Sequence, residues 1–199
     1  MRLVVGISGA TGAILGVRTL ELLRQMEVET HLVISRYGAV TIREETDYTI
    51  DEVRALATVV HANTDLSASI ASGSFRTDGM IVAPCSVKTL SAVANSSADS
   101  LIARAADVAL KERRRVVLLF RETPLHLGHL RLMSQVAENG AIVFPPVLAF
   151  YGRPTTLENV IDHIVARATD LFGLDAPGAE RWEGSRRNTL IKNNGRAQA

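Results

Sequence analysis

Short apolar runs alternate along this chain with longer segments in which apolar residues recur every three or four positions. The runs are too short for helices and rich in β-branched residues, which is typical of buried strands. The longer segments have the period of amphipathic helices. The predicted strands are 3–7, 31–34, 59–61, 79–83, 116–120 and 141–144. The alternation predicts an α/β fold with a Rossmann-like doubly wound, mostly parallel sheet of about five or six strands.

No internal repeat or linker interrupts this pattern, so we expect a single domain over residues 1–182. The last amphipathic stripe ends at Phe172, and the chain from Gly173 is irregular and polar. Residues 183–199 are expected to form a disordered tail, because such a composition buries too little apolar surface to fold.

Composition excludes several classes of protein. The 22 basic residues nearly balance the 21 acidic ones, so the net charge of +1 does not favour binding to nucleic acid or to an anionic membrane. One cysteine in the sequence excludes an intrachain disulfide and suits a reducing compartment. We find no signal peptide and no apolar stretch long enough to span a bilayer, so we expect a cytoplasmic protein.

A glycine-rich turn follows the first predicted strand. Gly6, Gly9 and Gly12 are three residues apart, a spacing that lets the backbone approach a ligand and leaves unpaired amides at a helix start, where phosphate binds well. Such a turn also needs glycine when nothing is bound. The second strand ends in Ser35 and Arg36 instead of the acidic residue that holds a nicotinamide ribose. This disfavours NAD and leaves a mononucleotide, or as the weaker alternative an NADP-like ligand.

Polar groups also follow the strand 79–83. Pro84 is expected to end this strand, with Ser86 and Lys88 between it and the next helix, in a second position suited to phosphate. The lone Cys85 is expected to be a small buried residue without a nucleophilic role. The segment ASGSF, residues 71–75, has the flexible composition of a loop that folds over a ligand.

Cations are placed where a sheet could present them to a ligand. Arg104 and Lys111 share a helix face, and Arg121 and Glu122 follow the strand 116–120 at its carboxyl end, where open α/β sheets bind ligands. Arg167 interrupts the apolar stripe of the last helix. It therefore needs an anionic partner, either a buried carboxylate or a ligand phosphate.

Two polar pairs have structural interpretations. His126 and His129 are three apart, but no third metal ligand is suggested nearby, which favours helix capping or packing. Thr155 and Glu158 have the spacing of a capping box at the start of the last helix.

In their order and spacing, GISGATGA, ASGSF, PCSVKTLSAVA, RAADVALKERR, RETPLHLGHLRLM, PPVLAFYGRP and DHIVAR resemble the UbiX-type flavin prenyltransferases, formerly described as aromatic acid decarboxylases. The resemblance runs from Leu3 to about Trp182. It implies a flavoprotein domain that joins the dimethylallyl group of dimethylallyl phosphate to N5 and C6 of reduced FMN, without a metal. The prenylated FMN would serve a UbiD-type decarboxylase. The resemblance also implies a homododecamer with active sites at subunit junctions.

The resemblance assigns roles position by position. The FMN-binding residues would be Gly9, Ala10, Thr11, Ser35, Ser86, Val87, Lys88, Thr89 and Arg121. Dimethylallyl phosphate would be bound by Tyr151, Arg167, Arg104, Lys111, Glu122 and Trp182. The catalytic candidates are Glu122, Lys111, Glu45 and Thr11, where Thr11 stands at a position that is serine in many members. We expect Glu122 to protonate the departing phosphate, Lys111 to hold it, and the clustered cations to stabilise its charge as a metal ion does elsewhere.

Two alternatives remain at this stage. Flavin-dependent peptidyl-cysteine decarboxylases share the fold but use a histidine near the flavin, and no histidine lies between Met1 and Thr30. A non-catalytic FMN-binding protein would not need the second phosphate site that Tyr151 and Arg167 suggest. Dimethylallyl pyrophosphate is an alternative donor.

Overall fold

The computed structural model describes residues 1–177, and within this range the strands form one sheet. The strands are β1 (Arg2–Ile7), β2 (Glu29–Ile34), β3 (Val59–Ala62), β4 (Gly79–Cys85), β5 (Arg115–Phe120) and β6 (Ile142–Val143). Their order is β3-β2-β1-β4-β5-β6, and every neighbouring pair is parallel. The predicted doubly wound fold is therefore confirmed, and the strand order reverses between β1 and β4.

Helices cover both faces of this sheet. They are α1 (Ala13–Gln25), α2 (Arg36–Glu45), α3 (Ile50–Ala55), α4 (Val87–Ala94), α5 (Leu101–Lys111), α6 (Leu127–Glu138) and α7 (Leu157–Asp170). Single 3-10 turns occur at Ser69–Ala71 and Phe150–Gly152. Helices α1, α2, α3 and α7 pack on one face, and α4, α5 and α6 pack on the other.

The alternation of side chains along β1 divides the core into two layers. Leu3, Val5 and Ile7 are buried against the α1 and α7 side, whereas Val4 is buried on the side of α4 and α5. Both faces of a central parallel strand are covered by helices, so successive residues face opposite helical layers and residues of both faces must be apolar. This burial explains why the strands are continuous apolar runs in the sequence.

Several predicted boundaries differ from the structure: β2 begins two residues earlier than expected, at Glu29, and β6 covers only Ile142–Val143. Pro84 does not end β4, which continues to Cys85. The register of β4 against β5 is irregular between Val82 and Cys85, so the missing N–H of proline falls where the ladder is already interrupted. The cap of α7 is Thr156, whose hydroxyl accepts from Asn159 N at 3.2 Å, and not the predicted pair one residue earlier.

The expected end of the domain and the tail of residues 183–199 lie outside the described residues, as does Trp182. Over residues 1–177, no helix combines the length and the apolar character that crossing a bilayer requires.

Candidate active site

A cavity of about 580 Å³ opens at the carboxyl edge of the sheet, beside the point where the strand order reverses. Ligands of open α/β sheets bind at this position. The residues predicted to bind FMN all line the cavity, together with Glu122. Its further lining residues are Arg36, Tyr37, Asn63, Ala92, Asp99, Ser100 and Ile102. The sheet thus brings together strand ends that are far apart in sequence.

Ser8 connects the end of β1 to the end of β4. Its buried hydroxyl donates to the Pro84 carbonyl oxygen at 2.8 Å and accepts from Ser86 N at 2.8 Å. The Ser8 amide donates to the same carbonyl at 3.2 Å. This residue therefore fixes the turn after β1 against the turn after β4. Our sequence analysis missed it, although a polar residue directly after a buried strand was the available signal.

The glycine turn is shaped by contacts within the protein. A Cβ on Gly9 would lie 2.3 Å from the Cβ of Tyr37, so only glycine allows α2 to approach this closely. Gly12 has a φ of 95°, a left-handed conformation that favours glycine. The Glu45 carboxylate accepts from Gly12 N at 2.7 Å and from Ala13 N at 3.0 Å. The prediction of unpaired amides at this helix start is therefore wrong, because a carboxylate of the protein already binds them.

Two predicted flavin-binding serines cap helices at the cavity wall. The Ser35 hydroxyl accepts from Gly38 N at 2.9 Å at the start of α2. The Ser86 hydroxyl accepts from Thr89 N at 3.3 Å and donates to the Thr89 hydroxyl at 3.2 Å at the start of α4. These caps place the positive ends of both helices near the cavity.

Charged groups at the cavity are mostly cationic. Arg36, Lys88 and Arg121 line it with the carboxylates of Asp99 and Glu122. Glu122 is half-buried, and its Oε1 accepts from Thr123 N at 2.9 Å. The cations can bind an anionic ligand, and the carboxyl group of Glu122 can serve as a proton donor beside it.

Cys85 does not supply a thiolate nucleophile to this site. Its side chain is fully buried at the end of β4, and this burial raises the pKa of the thiol well above its usual range. The thiol therefore stays protonated, in agreement with the structural role expected for it.

Asn63 is a second residue that our sequence analysis missed. Its side-chain Oδ1 accepts from Ile102 N at 3.1 Å, and its carbonyl accepts from Leu101 N at 2.8 Å. It binds the first two amides of α5, whose N-cap is Ser100, while lining the cavity. Its position directly after β3 was the available signal.

The structure does not bring Arg104 and Lys111 to this cavity. Arg104 donates from Nε to the Ala71 carbonyl at 3.1 Å and from Nη1 to Asp107 at 3.0 Å. The Lys111 ammonium lies 2.5 Å from Glu112, and this contact lowers the pKa of the Glu112 carboxyl. A Cβ on Gly73 would lie 2.8 Å from Lys111 Nζ, so both cations lie beside the ASGSF segment, on the outer face of α5.

Tyr151 and Arg167 lie away from both the cavity and the ASGSF segment. Arg167 belongs to α7, and Tyr151 belongs to the 3-10 turn Phe150–Gly152, which packs beside α7. Arg167 forms an ion pair with Asp170 at 2.5 Å, and the Asp170 side chain is only 8% exposed. A buried carboxylate is thus the partner that the sequence pattern required. The Tyr151 hydroxyl lies 3.2 Å from His163 Nε2.

The histidine pair of α6 is structural, as expected. His126 Nδ1 accepts from Gly128 N at 3.0 Å, and His129 Nδ1 accepts from His126 N at 3.5 Å. Both residues therefore cap the helix. Among residues 1–177, no group of three or more His, Cys, Asp or Glu side chains is placed to hold a metal ion.

Comparison with known proteins identifies the family. The Flavoprotein family profile matches residues 1–169. The flavin prenyltransferase UbiX of Thauera aromatica is 58% identical over 192 residues, which cover 96% of this chain and 99% of the relative. This chain belongs to the UbiX family of flavin prenyltransferases.

Solved structures of UbiX proteins agree with this assignment. AnUbiX (PadA1), crystallised in complex with FMN and dimethylallyl pyrophosphate, has a TM-score of 0.91 at 54% identity, over 93% of this chain and 98% of that one. A dodecameric FMN-dependent UbiX-like decarboxylase from Escherichia coli O157:H7 has a TM-score of 0.90 at 51% identity, over 92% and 100% of the two chains. The family resemblance inferred from sequence motifs is confirmed.

Proposed function

We propose that this chain transfers the dimethylallyl group of dimethylallyl phosphate to N5 and C6 of reduced FMN, in the cytoplasm, and supplies prenylated FMN to a UbiD-type decarboxylase. One observation carries the proposal: all residues expected to bind FMN, and the expected acid Glu122, line a single cavity at the reversal point of the sheet. Membership of the UbiX family and the FMN-bound relative support the same activity.

The cavity suits FMN in volume and in chemistry. Its volume of about 580 Å³ is within the usual range for sites that enclose a cofactor. Lys88 and Arg121 supply positive charge, and the starts of α2 and α4 add their helix dipoles. Gly9, Ala10 and Thr11 would hold one side of the flavin, with Ser86 and Val87 on another. Reduced FMN supplies the nucleophile, and dimethylallyl phosphate supplies the electrophilic carbon and the leaving phosphate.

Glu122 would act as the acid in this reaction. As the carbon to oxygen bond of the donor breaks, negative charge develops on the phosphate, and a proton from Glu122 would neutralise part of it. Arg and Lys side chains would bind the remaining charge, so we propose that the reaction needs no divalent ion. Thr11 lines the cavity, and Glu45 binds the amide of the next residue, Gly12. Both would assist the reaction from the side of the cavity that holds the flavin.

We further propose that neighbouring subunits complete the site. Within one chain, Lys111, Tyr151 and Arg167 do not line the cavity that contains Glu122. Large apolar side chains are exposed in the same segments: Phe150, next to Tyr151 in the sequence, is 74% exposed, and Leu127, five residues after Glu122, is also exposed. Such surfaces are expected to be covered by protein, and a dodecameric relative at 51% identity supports a homo-oligomer of this kind.

Glu122→Gln tests the proposed acid directly. The amide keeps the shape of the side chain but has no acidic proton, so FMN binding should be retained while turnover falls about 100-fold or more. Bound FMN is measured by absorbance, and product by the mass of the extracted flavin, with dimethylallyl phosphate or pyrophosphate as donor. Glu138→Gln, an exposed acid at the far end of α6, is the matched control and should keep normal turnover. Unchanged turnover in Glu122→Gln would remove its assigned role.

A further inference from the structure

Arginine side chains hold the ASGSF segment against the rest of the protein. Arg114, which directly precedes β5, donates from Nη2 to the Gly73 carbonyl at 2.7 Å and from Nη1 to the Phe75 carbonyl at 2.8 Å. Arg104 donates from Nε to the Ala71 carbonyl at 3.1 Å. Every second carbonyl of the segment is therefore bound by an arginine.

The middle of the segment depends on Arg114 more than its ends do. At the far end, the Phe75 ring also contacts the ring of His31 and lies under the guanidinium of Arg2, 4.6 Å from the ring centroid. Within residues 1–177, the Gly73 carbonyl accepts only from Arg114. Loss of this bond would leave a backbone acceptor without its protein partner and the middle of the segment without its support.

Arg114 is itself firmly placed. Its amide donates to the Ala109 carbonyl, in the last turn of α5, at 2.8 Å, and the next residue, Arg115, pairs with Gly79 in the sheet. The guanidinium is a planar fork of donors, so one half-buried side chain can bind the carbonyls of Gly73 and Phe75 together. A lysine would supply the charge without the fork.

Gly73 connects this support to Lys111. A Cβ on Gly73 would lie 2.8 Å from both Lys111 Nζ and Glu112 Cδ, so the glycine packs directly on their ion pair. The Lys111 side chain is 49% exposed. The direction of its ammonium is therefore set by Glu112 and by the segment that packs against them.

We propose that Arg114 is a positioning residue: by binding the Gly73 carbonyl it keeps the ASGSF segment packed on Lys111 and directs the ammonium toward the phosphate of the dimethylallyl donor. The inference rests on the proposed function, because it takes Lys111 as a donor-binding residue. A lysine loses side-chain entropy when it is held in one geometry, and a segment that restricts it before the donor arrives lowers that cost. Arg114 does not contact the donor, since its own donors are used by the segment.

The test measures binding of dimethylallyl phosphate to the full-length protein loaded with oxidised FMN, by calorimetry, so that no turnover occurs. Arg114→Lys keeps the charge but cannot bind both carbonyls, and should weaken donor binding about tenfold, as expected when one hydrogen bond to a charged group is lost. Arg113→Lys, the same change at the adjacent exposed arginine, is the matched control and should bind the donor as the wild type does. FMN affinity should be the same in both variants.

Amide hydrogen exchange shows whether the segment itself responds. Without donor, Arg114→Lys should exchange several-fold faster over residues 71–77, which include the Phe75 amide bound to the Ser72 carbonyl at 3.3 Å, whereas β4 and β5 should be unchanged. In steady-state assays this variant should raise KM for the donor more than it lowers kcat. Unchanged exchange, or faster exchange with an unchanged KM, would overturn the proposal. So would a smaller assembly mass by light scattering, which would assign Arg114 to subunit contacts.

Gly73→Ala tests the same connection without touching Arg114. The new methyl group would displace the flexible ends of Lys111 and Glu112 while the carbonyl bound by Arg114 remains, so donor binding should again weaken about tenfold. Normal donor binding by Gly73→Ala would show that the segment does not direct Lys111.

Lys111→Ala separates the two levels of the proposal. If this variant binds the donor normally, the assignment of Lys111 in the proposed function is wrong, and the inference falls with it. If Lys111→Ala is impaired but Arg114→Lys is normal, only the role of Arg114 is wrong. The double variant should be no weaker than Lys111→Ala alone, because both residues act through one ammonium, and additive losses would contradict this.

Discussion

Glu45 illustrates how one side chain can change the meaning of a sequence motif. The three glycines after β1 suggested a turn with free amides, but the Glu45 carboxylate, at the end of α2, binds the first amides of α1. No local pattern connects residues 33 positions apart, so this contact could not be predicted from the sequence. By contrast, the strand-end residues Ser35, Ser86 and Arg121 could be predicted, because the carboxyl ends of parallel strands meet at one edge.

Removing the Glu45 carboxylate should destabilise the protein. Gly12 has no side chain to cap α1, so Glu45→Ala leaves two amides without this acceptor and should lower the free energy of unfolding by about 1 to 2 kcal/mol. Glu44→Ala, at the neighbouring exposed acid, should change it by less than about 0.5 kcal/mol. Urea titration followed by circular dichroism measures both. Equal stability of the two variants would show that Glu45 is not a helix cap.

At the scale of elements, the long apolar strands and helices were predictable, and the errors fell at their ends, where single hydrogen bonds decide the boundary. Helix α7 begins one residue later than predicted, because the hydroxyl of Thr156, and not that of Thr155, accepts from a backbone amide of the first turn. The edge of the sheet contains a further feature that has no sequence signature. His31 of β2 and His61 of β3 face each other with Nδ1 and Nε2 at 2.9 Å, and His31 Nε2 lies 3.1 Å from Glu29.

This histidine pair should make the edge of the sheet sensitive to acid. Burial and the adjacent His31 lower the pKa of His61, against a smaller opposing effect of Asp65. The unfolded chain therefore takes up a proton on this histidine at a higher pH than the folded chain does. The free energy of unfolding is thus expected to fall as the pH drops through about 6.5, the ordinary pKa of histidine, until the folded form is protonated as well.

His61→Phe keeps a stacked ring but removes the titrating group. It should be about 1 to 2 kcal/mol less stable than the wild type near pH 7.5, because His31 loses a hydrogen-bond partner. Between about pH 7.5 and 5.5 its stability should fall less steeply than that of the wild type. The free energy of unfolding from urea titrations at each pH gives both values. Parallel pH dependences in the two proteins would exclude His61 as the source.

At the scale of the whole molecule, the expected site residues lie on three separate surfaces. The cavity contains Glu122, the outer face of α5 contains Lys111, and α7 contains Arg167. Periodicity and strand order predict where each residue lies within its own chain. They contain no information about the contacts between copies, so the expectation of active sites at subunit junctions came from the family resemblance and not from these patterns.

Mixed oligomers should reveal a shared site. Lys111→Ala and Glu122→Gln should each have only a small fraction of wild-type turnover when expressed alone. If the two groups come from different chains, random co-assembly restores an intact pair at roughly one site in four, and about a quarter of wild-type turnover should return. Co-expression of differently tagged chains and purification through both tags supplies the hybrid. Absence of any recovery would place both residues in a site formed within one chain.

The flavin product is the most direct test of the account. The protein is incubated without oxygen with reduced FMN and dimethylallyl phosphate, with and without a chelator, and the extracted flavin is analysed by mass spectrometry. We predict a flavin heavier than FMN by one dimethylallyl unit, with equimolar release of inorganic phosphate and no effect of the chelator. Recovery of unmodified FMN alone would contradict the proposed transfer, and loss of product on chelation would contradict the role given to the fixed cations.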